Sequence, residues 1–248
     1  SGVFVLRPPM TIDQLVQRLA EAPDGTQPLV LIEGERFKDL RKKLAHREDV
    51  RQAMSSLTDA EILAAIGAEE KHPEGLFAPN TYVIEEGERD LDILRRLYQR
   101  QKRILAEEWA GRQSGLPYNN AYEALIMASI IEKETGVAEE RAQIAGVFVR
   151  RLQVGMRLQT DPTVIYGVGE RYKGDITRAH LREDTPYNTY RRAGLPPTPI
   201  ANPGRAAIHA ALHPAEGDAL FFVATGDGRH IFSATLAEHN RAVNRYQR

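Results

Sequence analysis

The apolar run Ala124-Leu125-Ile126-Met127-Ala128-Ser129-Ile130-Ile131, closing on Glu132-Lys133-Glu134-Thr135, constrains this chain more than any other stretch. It lies in residues 121–134, which read as the most apolar helix of the sequence, so the other elements must cover it. Residues three and four apart share a helix face. Glu134 therefore stacks over Ile131 and Ile130, with Met127 one turn further back, while Glu132 stacks over Ser129 and Ala128. The two acids point to roughly opposite sides, and Glu134 takes the more apolar one. A carboxylate at a helix C-terminus also meets the negative end of the dipole. That field and an apolar surrounding both disfavour the charged form and raise the pKa. A carboxylic acid protonated near neutrality is what general-acid cleavage of a glycosidic bond requires. Two acids at a fraying, exposed helix end have the same spacing, so the pattern alone names no enzyme.

The remaining chain reads as helices with a few short strands. Val3 to Leu6 is strand-like, and Thr11 can cap a helix carrying Ile12, Leu15, Val16 and Leu19. Leu29 to Ile32 is a second strand, followed by the turn Glu33-Gly34. Residues 36–67 read as mostly helical, with breaks before Ser55 and near Gly67, and Pro73 to Tyr82 as a loop rich in aromatics and breakers. Residues 88–110 form a long amphipathic helix and 113–120 a linker. Gly136 suits a C-terminal cap for the apolar helix. A second helix runs from about Ala138 to Val154, buried through Ile144, Val147, Phe148 and Leu152, and Gly155 ends it. Asp161-Pro162 reads as an N-cap with Pro at the first helical position. Residues 168–200 are loop-rich, and Asn202-Pro203 starts a helix carrying Ile208 and Leu212. Leu220 to Ala224 and His230 to Ser233 form a hairpin around Gly226-Asp227-Gly228, and a last helix spans about Leu236 to Tyr246. This is an α+β pattern dominated by helices.

Composition narrows the function. Hydrophobic residues make up 42% and charged residues 27%, as in ordinary globular proteins. Lys and Arg (33) nearly balance Asp and Glu (34), so no footprint for nucleic acid or anionic membrane is present. The basic runs Arg41-Lys42-Lys43 and Arg95-Arg96 are interleaved with Asp39, Glu48, Asp90 and Asp92, as on solvated helix faces. There is no cysteine, which excludes disulfides, thiolate metal sites and a Cys nucleophile. No stretch reaches the roughly 18 apolar residues of a membrane span. The chain opens on Ser1-Gly2 with a strand-like run at once behind, as expected of a segment taken from a longer protein.

Other chemistry is weakly signalled. His209 and His213 are four apart on a predicted helix, a spacing that can hold a metal, but the sequence shows no third ligand. Gly167-Val168-Gly169 and Gly226-Asp227-Gly228 lack the longer phosphate-binding fingerprints and read as turns. No Gly-x-Ser-x-Gly elbow is present.

Ala128-Ser129-Ile130-Ile131-Glu132-Lys133-Glu134-Thr135 resembles the catalytic signature of the YceG-like family, the endolytic murein transglycosylases. The resemblance continues through Gly155 to Gly167, Tyr187-Asn188-Thr189-Tyr190, Gly194-Leu195-Pro196-Pro197, Ile200-Ala201-Asn202-Pro203-Gly204 and His213-Pro214. Upstream, Glu33-Gly34 and Glu74 to Tyr82 match as well, so it covers nearly the whole chain in order. It implies a lysozyme-like catalytic core over 28–248, preceded at 1–27 by the latter half of a LysM-like module. It also implies an N-terminal inner-membrane anchor upstream, a site facing the periplasm, peptidoglycan glycan strands as substrate and penicillin-binding proteins as partners.

The resemblance places Glu134 at the catalytic glutamate. It would protonate the oxygen between N-acetylmuramic acid and N-acetylglucosamine and later take the proton of the muramoyl C6 hydroxyl, leaving a 1,6-anhydro end. That lyase reaction needs neither a second carboxylate nor a metal or other cofactor. Gln159, Thr160, Asp161, Tyr187, Asn188 and Tyr190 are placed in the groove as sugar-binding residues: tyrosine rings stack on sugars, and amides and hydroxyls pair with N-acetyl groups. Asp161 has an alternative role as a helix cap, and Tyr187 and Tyr190 as loop anchors. Two other functions stay open. A hydrolytic muramidase would use Asp161 or Asp184 to activate water, and a wall-binding scaffold would not need Glu134.

Overall fold

The computed structural model describes residues 11–12 and 28–246. The strand, helix and half-module read over 1–27 lie, apart from residues 11 and 12, outside the described residues. In chain order the elements are β1 (Leu29–Leu31), α1 (Phe37–Ala45), β2 (Val50–Arg51), α2 (Asp59–Ile66), β3 (Asn80–Tyr82), β4 (Glu88–Arg89), α3 (Asp90–Ala110) and α4 (Ala121–Glu134). A 3-10 turn (Ala138–Glu140) leads into α5 (Arg141–Gln153). Then come α6 (Asp161–Val168), α7 (Arg178–Arg182), α8 (Arg205–Leu212), β5 (Phe221–Ala224), β6 (His230–Ser233) and α9 (Leu236–Tyr246). The architecture is α+β and helix-rich, as the sequence predicts.

Helix α4 is the axis of the core. Every residue from Ala124 to Ile131 is buried, so the helix is apolar on all sides, not amphipathic. Its start is fixed by Asn120, whose side-chain oxygen accepts the Glu123 N–H at 3.0 Å. Helix α8 covers one side through Ala207, Ile208, Ala211 and Leu212, while α5 and α3 close others with Ile144, Phe148, Ile93, Leu94 and Leu97. Each such aliphatic or aromatic side chain, fully buried, contributes about 1.5–3 kcal/mol. Ser129, inside this shell, donates to the Ile126 carbonyl and accepts the Ile200 N–H at 3.0 Å, so its polarity is satisfied.

The strands pair locally. β1 and β3 are antiparallel with Val30 opposite Thr81, β2 and β4 are parallel, and β5 and β6 form the expected hairpin with Val223 opposite Ile231. Across residues 36–67, α1 and α2 are separated by β2 and turns, a wider interruption than the break expected before Ser55, and α2 ends at Gly67 as expected. The buried carboxylate of Asp90 explains the interruption, because it accepts the N–H groups of Ala53 and Met54 and holds that segment in a turn. None of the helices among the described residues is long and apolar enough to cross a membrane.

Candidate active site

Glu134 is the last residue of α4. The chain then leaves the helix through Thr135 in an extended conformation (φ −141°, ψ 136°), and the Val137 N–H donates to Thr135 Oγ1 at 2.9 Å. Gly136 is therefore not the left-handed cap expected of it; the Thr135 hydroxyl supplies the turn instead. This sharp exit frees the end of α4 to face a cleft of about 480 Å³. Glu134, Arg151, Gln159, Asp161 and Tyr190 line it together with residues of the β5–β6 hairpin and α9.

One side chain grips the carboxyl. The Thr160 hydroxyl donates to Glu134 Oε2 at 2.7 Å. Thr160 is buried and fixed in turn: its N–H donates to Thr189 Oγ1 at 3.1 Å, and its carbonyl accepts from Thr163 Oγ1 at 2.7 Å. The preceding residue, Gln159, has φ +50°, the one positive φ outside glycine among the described residues. That conformation costs an L-residue about 1–2 kcal/mol and is tolerated here because the strand-like contact from Gln159 N–H to the Thr189 carbonyl holds it.

Burial pushes the Glu134 pKa up, which the Thr160 hydrogen bond opposes; Asp161 pushes it up further, and His230 and Arg151 oppose it. The acid form is thus favoured beyond the ordinary carboxylate range, as the apolar face predicts, with burial as the leading cause. Arg151 itself is buried: Nε donates to the Leu220 carbonyl at 2.7 Å and Nη1 to the Leu158 carbonyl, fixing a cation beside the cleft. Glu132 departs on the other side of α4, accepting the Gly204 N–H at 2.9 Å at the start of α8. The two acids of the Glu-Lys-Glu motif have separate duties, as helix geometry requires.

The residues expected to bind sugar divide. Gln159, Asp161 and Tyr190 line the cleft with Glu134. Asp161 is the first residue of α6 and Thr160 the N-cap, one position earlier than the sequence reading; the Asp161 carboxylate accepts from the Tyr190 hydroxyl at 2.6 Å instead of capping. Thr160 reaches Glu134 and not the open space. Tyr187 and Asn188 are not brought to the cleft. The Asn188 amide donates to the carbonyls of His180, Leu181 and Glu183, and its oxygen accepts the Tyr190 N–H at 3.0 Å, so every polar atom of the side chain ties the loop together. Tyr187 stands edge-on to Tyr166 at 4.8 Å and bonds Thr198 through its hydroxyl. Asp184, the other acid weighed for water activation, is exposed and paired with Arg192.

Two further clusters were not legible in the sequence. Glu74, pushed up to about 7 by burial, accepts the Phe37 N–H at 2.8 Å and the Tyr166 hydroxyl at 3.1 Å, joining the start of α1 to α6. Glu108 completes a group with His209 and His213 whose ligand atoms lie within 4.8 Å of one another, so the third group missing from the sequence reading exists. Arg205 already occupies Glu108 at 2.7 Å, and both ring nitrogens of His213 face carbonyl oxygens, so the cluster as built is a charge-paired helix end.

The sequence reading also missed Arg151, Glu140, His230 and His239. Arg151 falls seven residues after Ile144, on the buried stripe of α5, and a charge in such a stripe is a usable signal. A lone histidine in a strand after a turn carries none.

An acid held at the end of a buried helix, gripped by a threonine from a following loop and facing an open cleft, defines a class of site that sequence comparison makes specific. Residues 1–245 match the YceG-like family, and this chain belongs to it. It is 32% identical over 265 aligned positions to the endolytic murein transglycosylase of Bacillus subtilis (strain 168), covering 99% of this chain and 72% of that protein. It is 31% identical over 176 positions to the protein of the same name from Streptococcus pneumoniae serotype 2 (strain D39 / NCTC 7466), covering 68% of this chain and 31% of that one. The crystal structure of a yceG-like protein from Listeria monocytogenes matches with a TM-score of 0.74 at 32% identity, over 96% of this chain and 83% of that one.

Proposed function

We propose that this chain is an endolytic lytic transglycosylase that cuts the bond between N-acetylmuramic acid and N-acetylglucosamine within glycan strands. Its curated relatives are named for murein transglycosylase activity, and the chain is accordingly a lyase-type enzyme of peptidoglycan. The observation that carries the mechanism is Glu134: a carboxyl with its pKa raised by burial, gripped by a single hydroxyl, at the wall of an open cleft. In its acid form Glu134 protonates the bridging oxygen as the C1–O bond breaks and an oxocarbenium-like state develops. The resulting carboxylate then takes the proton of the muramoyl C6 hydroxyl as that oxygen bonds to C1. The product carries a 1,6-anhydro ring, Glu134 is protonated again, and no water is consumed. The Arg151 guanidinium and the Thr160 hydroxyl steady the carboxylate between the two steps.

Mass spectrometry of products from purified glycan strands tests this. The expected result is anhydro ends from the unaltered enzyme and no cleavage by Glu134→Gln. Asp161 is the second acid of the cleft, and its position keeps a hydrolytic reading in view. Reducing ends, one water heavier, would establish a muramidase. Unimpaired cellular function of Glu134→Gln would establish the scaffold reading instead.

The finer features implied by family resemblance belong to the same proposal. The helical core is taken as lysozyme-like over 28–248, residues 1–27 as part of a LysM-like module, and the full protein as anchored in the inner membrane with this part in the periplasm. Penicillin-binding proteins are its proposed partners.

A further inference from the structure

The cleft that Glu134 lines contains a second ordered polar group. His230, on β6, lines the cleft, and both its backbone and its ring are held by one carboxylate. The His230 N–H donates to Glu140 Oε1 at 3.0 Å, and ring Nδ1 lies 2.8 Å from Glu140 Oε2. Glu140 is buried in the 3-10 turn that leads into α5. The ring is packed edge-on against Phe222 at 5.4 Å. A carboxylate only accepts, so Nδ1 carries a proton; Nε2 has no partner among the described residues, and in the Nδ1–H tautomer it is an acceptor.

We propose that His230 is a substrate-contacting residue, accepting through Nε2 a hydrogen bond from a hydroxyl of the glycan in the cleft, and that Glu140 is its positioning residue. The inference rests on the reading of Glu134 as the acid of this cleft, because that reading puts a sugar there. Orientation of an acceptor by a carboxylate behind it is the general logic of histidine–carboxylate pairs.

The geometry supplies a sharp test. In Glu140→Gln the side chain keeps its shape but has one oxygen. The His230 backbone N–H is an unconditional donor, so it claims that oxygen and leaves the amide NH₂ facing Nδ1. Nδ1 must then accept, and the proton moves to Nε2, which turns the cleft-facing acceptor into a donor. His230→Asn is the complement: its amide NH₂ keeps the bond to Glu140 and no Nε2 remains.

Both variants are assayed on purified uncrosslinked glycan strands beside Glu134→Gln, with thermal melts and the ¹⁵N signals of the labelled histidines. The expected result is a folded Glu140→Gln whose His230 tautomer is switched. In both variants kcat/KM falls on the order of 10-fold or more, as loss of one substrate hydrogen bond requires, with unchanged product ends. Folded variants with kcat/KM within about twofold of the unaltered enzyme would overturn the proposal while leaving Glu134 in place. So would a loss of activity without the tautomer switch, or failure of both variants to fold, which would make the dyad a structural clamp. Cleavage by Glu134→Gln would instead refute the acid assignment, a separate outcome.

Discussion

Replacing Thr160 with valine removes the one hydroxyl bonded to Glu134 while keeping the shape of the side chain. The Thr160 N–H contact to Thr189 is made by the backbone and survives the change. The lost bond runs from a hydroxyl to a carboxylate at 2.7 Å in a buried setting. Hydrogen bonds to charged groups contribute about 1.5–3 kcal/mol, and 1.36 kcal/mol corresponds to about one pKa unit. Because this bond stabilises the ionised form, its loss raises the Glu134 pKa further, by about one to two units on that arithmetic. The acid step needs protonated Glu134, so activity falls as pH rises through its pKa. Thr160→Val is expected to move that alkaline limb of the pH–rate profile upward by the same amount, and Thr160→Ser to leave it in place. The rate at the optimum also drops, because a less stabilised carboxylate makes the first proton transfer harder. Glycan cleavage followed from about pH 4 to 9 measures both. An alkaline limb that stays put, or moves down, would refute the assignment of Thr160 as the group tuning Glu134.

Four other outcomes follow from the same geometry. Glu134→Gln stabilises the fold as well as silencing it: a carboxylate whose folded pKa is raised contributes stability below its unfolded pKa and loses it as pH rises through the folded value, so the mutant's Tm should exceed that of the unaltered protein at neutral pH and match it near pH 4. Asn188→Ala leaves backbone carbonyls and the Tyr190 N–H without partners and is expected to cost about 2–3 kcal/mol in chemical denaturation, whereas a pure sugar-binding role predicts a raised KM at unchanged stability. Tyr190→Phe frees Asp161 in the cleft and should lower kcat/KM with little change in Tm, read by glycan-strand kinetics. Gly75→Ala combines a φ of +82° with a Cβ placed 2.4 Å from Pro199 Cβ, and its denaturation midpoint should fall by an amount equivalent to more than about 2 kcal/mol.

Burying the apolar face of α4 has a consequence for where function is found. A helix covered on every side by α3, α5 and α8 has only its ends left to meet solvent, and Glu134 occupies one of them. The acid is thereby seated at the end of a buried helix; its hydrogen-bond partner Thr160 comes from the approach to α6, and Glu140, which holds His230, from the turn that leads into α5.

Much of this was written in local order. The run from Ala124 to Ile131 fixed helix α4, helical spacing sent Glu134 and Glu132 to different sides, and the Gly-Asp-Gly turn fixed the hairpin of β5 and β6, because each depends on residues within a few positions of one another. Tertiary structure decided the partners. Thr160 meets Glu134 from 26 positions away, and Glu140 meets His230 from 90. Asn188 turned inward to backbone carbonyls although its sequence surroundings suit a sugar contact equally well. A polar side chain in a loop reads the same whether it faces a ligand or its own backbone. Only the packed chain determines which buried donors and acceptors need that side chain, and so which polar atoms stay free for chemistry.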